Sequence, residues 1–477
     1  MSPENITIRK GLDIPIDGTA EKRITDARSI TCIAVKPTDF VGLTPKLFVE
    51  EGDSIQVGDT LFCDKNDERI LFTSPVNGRV KAIVRGEKRK LQAVVIESDK
   101  SGSFLKSVSG SLSTAEEIKA AMLHCGLWTK LRQRPFGTIA NPDDKPKAIF
   151  VSAFDSAPLA PDYDFIMQGR ETLLAKGLEA LARLTEGKVH VCFRPGQELS
   201  KQLSTFHSSL STHFVKGPHP TGNIGTQIAH IDPINKGEVV WTMNLQDVAV
   251  LGELVTTGVY NPEKLIAVTG PNLKNPHYYR IISGACLKDI ISSQLINNDY
   301  PKMETELNTK QMRIISGNIL TGTQIHSDGF LGAYDDMVSV LPEGDHYDFM
   351  GWLMPGFRKF SFSRTFLSGF LPKSTFKPMG VTLPRFKRFW NFDTNTHGEE
   401  RPLVFTGNFE RVFPFDIDPT HLIKACIVGD IELMENLGIY EVEPEDFALC
   451  EFIDTSKTDI QQIIREALEK IRKESKG

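Results

Sequence analysis

Two apolar rhythms meet near residue 113 of this 477-residue chain, and a chain of this length divides into several cores rather than one. Residues 30–100 carry short strand-like runs broken by tight turns. Ile30 to Val35 reads as a strand. Pro45 to Leu61 gives strand, turn, strand, with Gly52-Asp53 and Gly58-Asp59 supplying turns that need φ > 0. Thr73 to Val80 adds a further turn and strand, and Gln92 to Ile96 another. From about 113 to 256, helical spacing alternates with buried-type strand runs. Thr114 and Glu117 form a capping box ahead of Ile118, Ala121, Met122 and Cys125, which share one helical face. Ala148 to Val151 is a strand, Gly169 to Glu186 a helix, Lys188 to Phe193 a strand, Glu238 to Trp241 another, and Leu245 to Val255 a helix. This βαβ alternation predicts a Rossmann-like parallel sheet.

Short strands return over residues 258–340, with one helix near Cys286–Leu295, as in a small α+β module. The end of the chain is helical. Asp418-Pro419 starts one helix by N-cap and Pro at the first position, and Gly438 ends a second. Ile460, Ile463, Ile464, Ala467, Leu468 and Ile471 form the apolar stripe of the last.

Charge and motifs exclude more than they assign. A net charge of −6 and a pI near 6.1 argue against a nucleic-acid binder. The N-terminus lacks a signal-peptide layout, and no run reaches about 18 apolar residues, so a soluble chain is expected. Seven cysteines are dispersed, Cys426 and Cys450 being the closest pair, with no CxxC; reduced intracellular thiols, mostly in cores, are expected. There is no GxG, no P-loop and no GxSxG. Gly222-Asn223-Ile224-Gly225 could offer backbone N–H groups to a phosphate, although the plainer reading is a turn entering a helix. His207, His213 and His219 stand six apart, a spacing that does not stack ligands on a helix. Cys192 precedes Arg194, where a cation could activate a thiol; a buried strand cysteine is the plainer reading.

Residues 351–392 hold eight Lys or Arg, eleven aromatics and no Asp or Glu. Such a block is either a linker whose aromatics pack on its neighbours or a docking surface for anionic headgroups or a membrane partner. In the docking reading the contacts are Arg358, Lys359, Arg385, Lys387, Arg388 and Trp390.

Strings along nearly the whole chain carry a resemblance. They include Ile8-Arg9-Lys10-Gly11-Leu12-Asp13, Val49-Glu50-Glu51-Gly52-Asp53, Phe72 to Gly78, His219 to Gly225, His230-Ile231-Asp232-Pro233-Ile234 and Phe366 to Pro372. With the module order, they resemble the A subunits of the sodium-translocating NADH:quinone reductases. The same order is similar to the C subunit of the Rnf complex and the flavin subunit of respiratory complex I. The resemblance implies a barrel-sandwich hybrid with an N-terminal extension over 1–105 and a Rossmann-like domain over 106–256. A β-grasp (SLBB-like) module over 257–345, a basic-aromatic docking segment over 346–400 and a helical domain over 401–477 follow. Relatives with flavin carry a glycine-rich loop; here Gly126 to Gly137 places Lys130, Arg132 and Arg134 in the corresponding stretch. The helical domain, with Cys450 alone near Leu449 and no cysteine in Phe409 to Pro414, lacks the roughly four thiolates a cluster needs.

The implied role is that of a peripheral subunit on the cytoplasmic face of the bacterial inner membrane. It would bind no cofactor or metal and have no catalytic centre of its own. NADH, flavins, iron–sulfur and quinone would belong to other subunits, a membrane-embedded one among the partners. Quinone contact, if this chain makes it, falls on Trp128, Phe136 and Phe154 beside the altered loop. The alternatives are an independent flavin- or NADH-binding dehydrogenase, and a lipoyl- or biotinyl-type carrier with Lys65 near a hairpin tip.

Overall fold

The computed structural model describes residues 4–28, 30–99, 106–107, 112–203, 210–295, 312–346, 350–351, 353–357, 359–363, 366–370, 390 and 392–475. Two small antiparallel sheets form the barrel sandwich. Strands Cys32–Val35, Leu91–Ser98, Gly78–Arg85 and Ser54–Ile55 pair in that order; Pro45–Leu47, Thr60–Asp64 and Leu71–Thr73 make the second sheet. Leu61, Val80, Val94 and Ile96 are buried in the core, and Phe62 stacks on Phe72 at 4.5 Å. Lys65 is exposed just past the end of Thr60–Asp64.

The α/β part is built on a seven-stranded sheet. Its order is Glu4–Thr7, Leu210–Lys216, Lys188–Phe193, Ala148–Ser152, Val240–Thr242, Arg132–Arg134 and Thr138–Ile139. The first five run parallel and the last two antiparallel. The capping box forms as its residues dictate, Thr114 Oγ1 accepting from Glu117 N–H, and Ile118, Ala121, Met122 and Cys125 are buried. Helices Glu171–Leu181 and Leu245–Thr257 cross at backbone contact. A Cβ on Gly252 would lie 1.8 Å from the Leu173 carbonyl oxygen, and one on Gly177 1.9 Å from that of Val248. Only glycine admits so close a crossing.

A six-stranded sheet follows, ordered Glu21–Asp26, His277–Ile282, Glu263–Thr269, Met337–Pro342, Met312–Ser316 and Thr323–Ile325. The C-terminal module packs helices Pro419–Val428, Ile431–Asn436, Ala448–Ile453 and Ile460–Glu474 around Phe413, Phe447 and Ile464. Asp418 caps the first by accepting from His421 N–H with Pro419 at the start, and Gly438 adopts the left-handed conformation just beyond the second.

The N-terminal extension does not pair within the barrel sandwich that follows it in sequence. Its first strand, Glu4–Thr7, adds to the edge of the seven-stranded sheet, and its second, Glu21–Asp26, to the edge of the six-stranded one. Ile14, between them, is buried in the core of the C-terminal helices. A segment of about twenty residues therefore touches three modules, and each strand covers an edge otherwise left with unpaired backbone groups.

A second tie is ionic. Arg134 is 2% exposed and meets Asp446 Oδ2 at 3.1 Å, Glu445 Oε1 at 2.5 Å and Glu443 Oε1 at 3.4 Å. Arg132 donates to Glu443 Oε2 at 3.0 Å. Burial disfavours the Arg134 charge, but the three carboxylates outweigh it and raise its pKa further. Glu445, although burial raises it, is held below the ordinary range by Arg134 and Arg132. Burial pushes Asp446 up to about 7 against the pull of Arg134, with Glu445 adding to the rise.

Three outcomes follow from this packing. Gly252→Ala should lower stability by about 1–3 kcal/mol, read from the urea midpoint, because the crossing helices must move apart. Arg134→Met leaves buried carboxylates unanswered and should cost about 3–5 kcal/mol, with the C-terminal helices becoming the first site of limited proteolysis. The unfolded chain releases the Asp446 proton near 3.8, whereas the native state keeps it to about 7. The native state thus binds more protons across that window, and this group makes stability fall as pH rises through it. Asp446→Asn should flatten that slope in urea titrations at stepped pH.

Candidate functional site

The parallel strands change direction of growth between Ala148–Ser152 and Val240–Thr242. From the first, the chain builds outward through Lys188–Phe193 and Leu210–Lys216, then returns to lay Val240–Thr242 on the opposite side. Such a switch point opens a crevice beyond the carboxyl ends of the strands. Here it is a cleft of about 160 Å³. Ser152, Phe154 and Asp155 follow the first strand into it, Thr242 to Leu245 follow the second, and Asn318 and Thr321 close it from the six-stranded module. Glu445 reaches it from the C-terminal helices, so three modules share one cavity.

Two helices begin at this cleft, Ile224–Ile231 after Asn223 and Leu245–Thr257 after Asn244, and neither start is capped by a side chain. Asn244 Nδ2 instead donates to the Tyr334 carbonyl at 2.8 Å. The Gly222–Gly225 stretch is the turn entering the first of these helices. Gly222 N–H donates to Ser156 Oγ at 2.7 Å, and Ser156 Oγ lies 3.0 Å from His219 Nδ1. Burial lowers His219 to about 4, so its imidazole is neutral near pH 7. Asp155 is raised by burial, although Ala157 N–H donates to it at 2.8 Å. Lys130 is buried, donates to the Ala333 carbonyl and stands 5.7 Å from the Tyr334 ring; burial lowers its pKa. Behind it, Lys264 pairs with Asp336 at 2.6 Å, and Tyr163 donates to the other Asp336 oxygen at 2.6 Å. The cleft can thus hold a small molecule between these polar groups and the apolar side chains of Phe154, Ile224, Met243 and Leu245.

The three aromatics expected beside the altered loop do not converge. Trp128 is inside the main core, its indole N–H donating to the Ala140 carbonyl at 2.8 Å and its ring edge-on to Trp241 at 5.5 Å. Phe136, at φ 84°, packs toward the C-terminal helices against Tyr440, and its carbonyl accepts from Arg465 at 3.0 Å. Phe154 lines the cleft with the Arg194 guanidinium 5.3 Å from its ring. That contact takes Arg194 to an aromatic face, and Cys192 is a buried strand cysteine whose thiol burial pushes up. His213 is buried with its Nε2 2.9 Å from His190 Nδ1. His207 lies outside the described residues, as do Arg358, Arg385, Lys387 and Arg388. Lys359 stands 5.4 Å from the Phe366 ring, and Trp390 N–H donates to the Pro15 carbonyl. In the same segment of the chain, Met350, Leu353, Met354, Phe357 and Leu367 are exposed, Leu353 at 62%.

The sequence reading did not single out Thr242, Asn244, Asn318 or Thr321. Asn244 alone had a local signal, as an N-cap residue between a strand and a helix. Among the described residues, no group of three or more His, Cys, Asp or Glu could hold a metal ion, and no helix is long and apolar enough to cross a membrane.

Comparison with known proteins completes the assignment. Residues 6–99 match the NqrA N-terminal barrel-sandwich hybrid domain, 113–260 the NqrA second alpha/beta domain and 265–301 the NQRA C-terminal domain. The A subunit of the Na(+)-translocating NADH-quinone reductase of Vibrio atlanticus (strain LGP32) is 38% identical over 98% of this chain and 100% of its own length. That of Yersinia pseudotuberculosis serotype I (strain IP32953) is 37% identical and that of Pasteurella multocida (strain Pm70) 39%, each with the same coverage. A solved NAD+-reducing [NiFe]-hydrogenase chain aligns at a TM-score of 0.32 and 15% identity over 48% of this chain and 47% of its own, too slight a likeness to bear on the site. Matched end to end by these relatives, the chain belongs to the NqrA family, the A subunits of the Na(+)-translocating NADH-quinone reductases.

Proposed function

We propose that this chain works as the A subunit of a membrane-bound complex that oxidises NADH, reduces quinone and moves Na+ across the membrane. The observation that carries the reading is end-to-end similarity to subunits of that name, at 38% identity over 98% of the chain. Within the complex its role is that of a peripheral docking subunit on the cytoplasmic face of the bacterial inner membrane. Flavins and iron–sulfur centres belong to its partners.

Arg132 and Arg134 support the cofactor-free part of this reading. They occupy the stretch where flavin-bearing relatives need bare backbone, and they use it to hold Glu443, Glu445 and Asp446. The exposed apolar side chains between Met350 and Leu367 support docking, since exposed apolar residues in a segment rich in Lys and Arg suit a partner surface. Quinone contact, where this chain makes it, falls on Phe154, the one of the three aromatics that lines the cleft.

Two measurements test the reading. Charge reversal at Arg385, Lys387 and Arg388 should reduce recovery of the chain with the membrane fraction several-fold, and unchanged recovery removes the docking role of that segment. Phe154→Ala should weaken binding of a water-soluble quinone analogue to the purified chain by about tenfold, the value of a lost aromatic wall. Equal affinity takes quinone away from the cleft.

A further inference from the structure

The barrel sandwich and the six-stranded module meet along a short backbone bridge. Ile33 stands opposite Ala285 in antiparallel register, Ala34 N–H donates to the Gly284 carbonyl at 2.9 Å, and Cys286 N–H to the Cys32 carbonyl at 3.0 Å. The register places Cys32 directly across from Cys286. Directly opposed residues of an antiparallel pair project to the same face with Cα atoms roughly 5.5 Å apart, inside the roughly 4.4–6.8 Å that a disulfide spans.

The surroundings agree on the face. Cys286 also stands opposite Phe330, and Phe330 packs against the cluster of Ala34, Ala93 and Val95; Ala34 is two residues along the strand from Cys32 and so on its side of the sheet. Both cysteines are half-buried thiols. Lys81 Nζ lies 3.5 Å from Cys32 Sγ, and Cys286 Sγ 3.5 Å from the Asp328 carbonyl oxygen. The other five cysteines are less suited to reaction. Cys63, Cys125, Cys192 and Cys450 are buried, and burial pushes the Cys426 thiol up to about 12.

We propose that Cys32 and Cys286 form an oxidisable thiol pair that closes into a disulfide between the two modules, with a small-molecule disulfide as the oxidant. The Cys32 thiolate attacks one sulfur of the oxidant; the oxidant's S–S bond breaks, and one of its halves leaves as a thiolate. The Cys286 thiolate then attacks Cys32 Sγ in the mixed disulfide and expels the second half. Two electrons pass from the protein thiols to the oxidant, and the two protons they release end on its two thiol products. The product ties strand Cys32–Val35 to the segment before helix Lys288–Gln294, across a seam now held by backbone hydrogen bonds.

The purified full chain, treated with oxidised glutathione and then digested without reduction, tests this. The expected result is a cross-linked peptide pair containing Cys32 and Cys286, an intact mass lowered by two hydrogens, and recovery of both thiols with dithiothreitol. Cys286→Ser should stop the reaction at a glutathione adduct on Cys32. A stable glutathione adduct on the native chain with Cys286 still open to alkylation overturns the proposal, as does cross-linking through any other cysteine or no reaction at either thiol. Matching far-ultraviolet circular dichroism of the variant excludes misfolding as the cause.

Discussion

A guanidinium withdrawn from water is tolerated only where its charge and its donors are answered, and Arg134 is answered by one turn of the C-terminal module. Much of the architecture hangs from that arrangement. The strand carrying Arg134 is an antiparallel addition to the seven-stranded sheet, so its position is set by backbone pairing with Val240–Thr242. The turn carrying Glu443, Glu445 and Asp446 is set by its own capping box. When the two meet, the C-terminal helices acquire a fixed place against the α/β module. The start of helix Ile224–Ile231 is fixed in the same act: a Cβ on Gly225 would lie 2.4 Å from both Arg134 Nη1 and Asp446 Oδ1. An arginine suits this site better than a lysine, since its planar fork reaches three carboxylates that a point charge could not.

The extension at the N-terminus solves a different problem by backbone rather than charge. Both larger sheets end in strands that the chain segments forming the rest of the sheet leave open on one side. Glu4–Thr7 and Glu21–Asp26 close those edges, and Ile14 between them enters the core of the C-terminal helices. Covering two edges with one segment makes the modules share a boundary condition. Neither sheet can shift far from the other without breaking a ladder, so the cleft walls contributed by Asn318 and Thr321 keep their distance from Phe154 and Asp155.

What was legible in the sequence was local. The Thr114 capping box, the Asp418-Pro419 helix start and the stripe from Ile460 to Ile471 each rest on residues within a few turns of one another, and the structure holds them as read except Ile463, which is only half-buried at the edge of the stripe. The Gly222–Gly225 stretch likewise enters a helix as its plainer reading said. The Arg134–Asp446 contact spans 312 positions, and nothing beside either residue announces the other. Trp128, Phe136 and Phe154 were grouped because they flank one altered loop and the strand after it; the fold sends them to the main core, the C-terminal core and the cleft respectively. Proximity in sequence fixes a side chain's neighbourhood only to within one turn or strand reversal. The cleft was legible only through its topology: once strands Ala148–Ser152 and Val240–Thr242 are adjacent with the others added outward from the first, a crevice must open there.

That topology also separates the existence of the cleft from the side chains that line it. The crevice at the switch point is a property of strand order and persists whatever side chains line it. In the stretch beside it, Arg132 and Arg134 pair with carboxylates of the C-terminal module, while Lys130 and Arg132 also line the cleft. These pairs make the stretch position a neighbouring module. A chain whose modules are tied by buried charge and shared sheet edges presents its partners with a surface already ordered. Association then costs less in conformational entropy than it would for independently mobile domains.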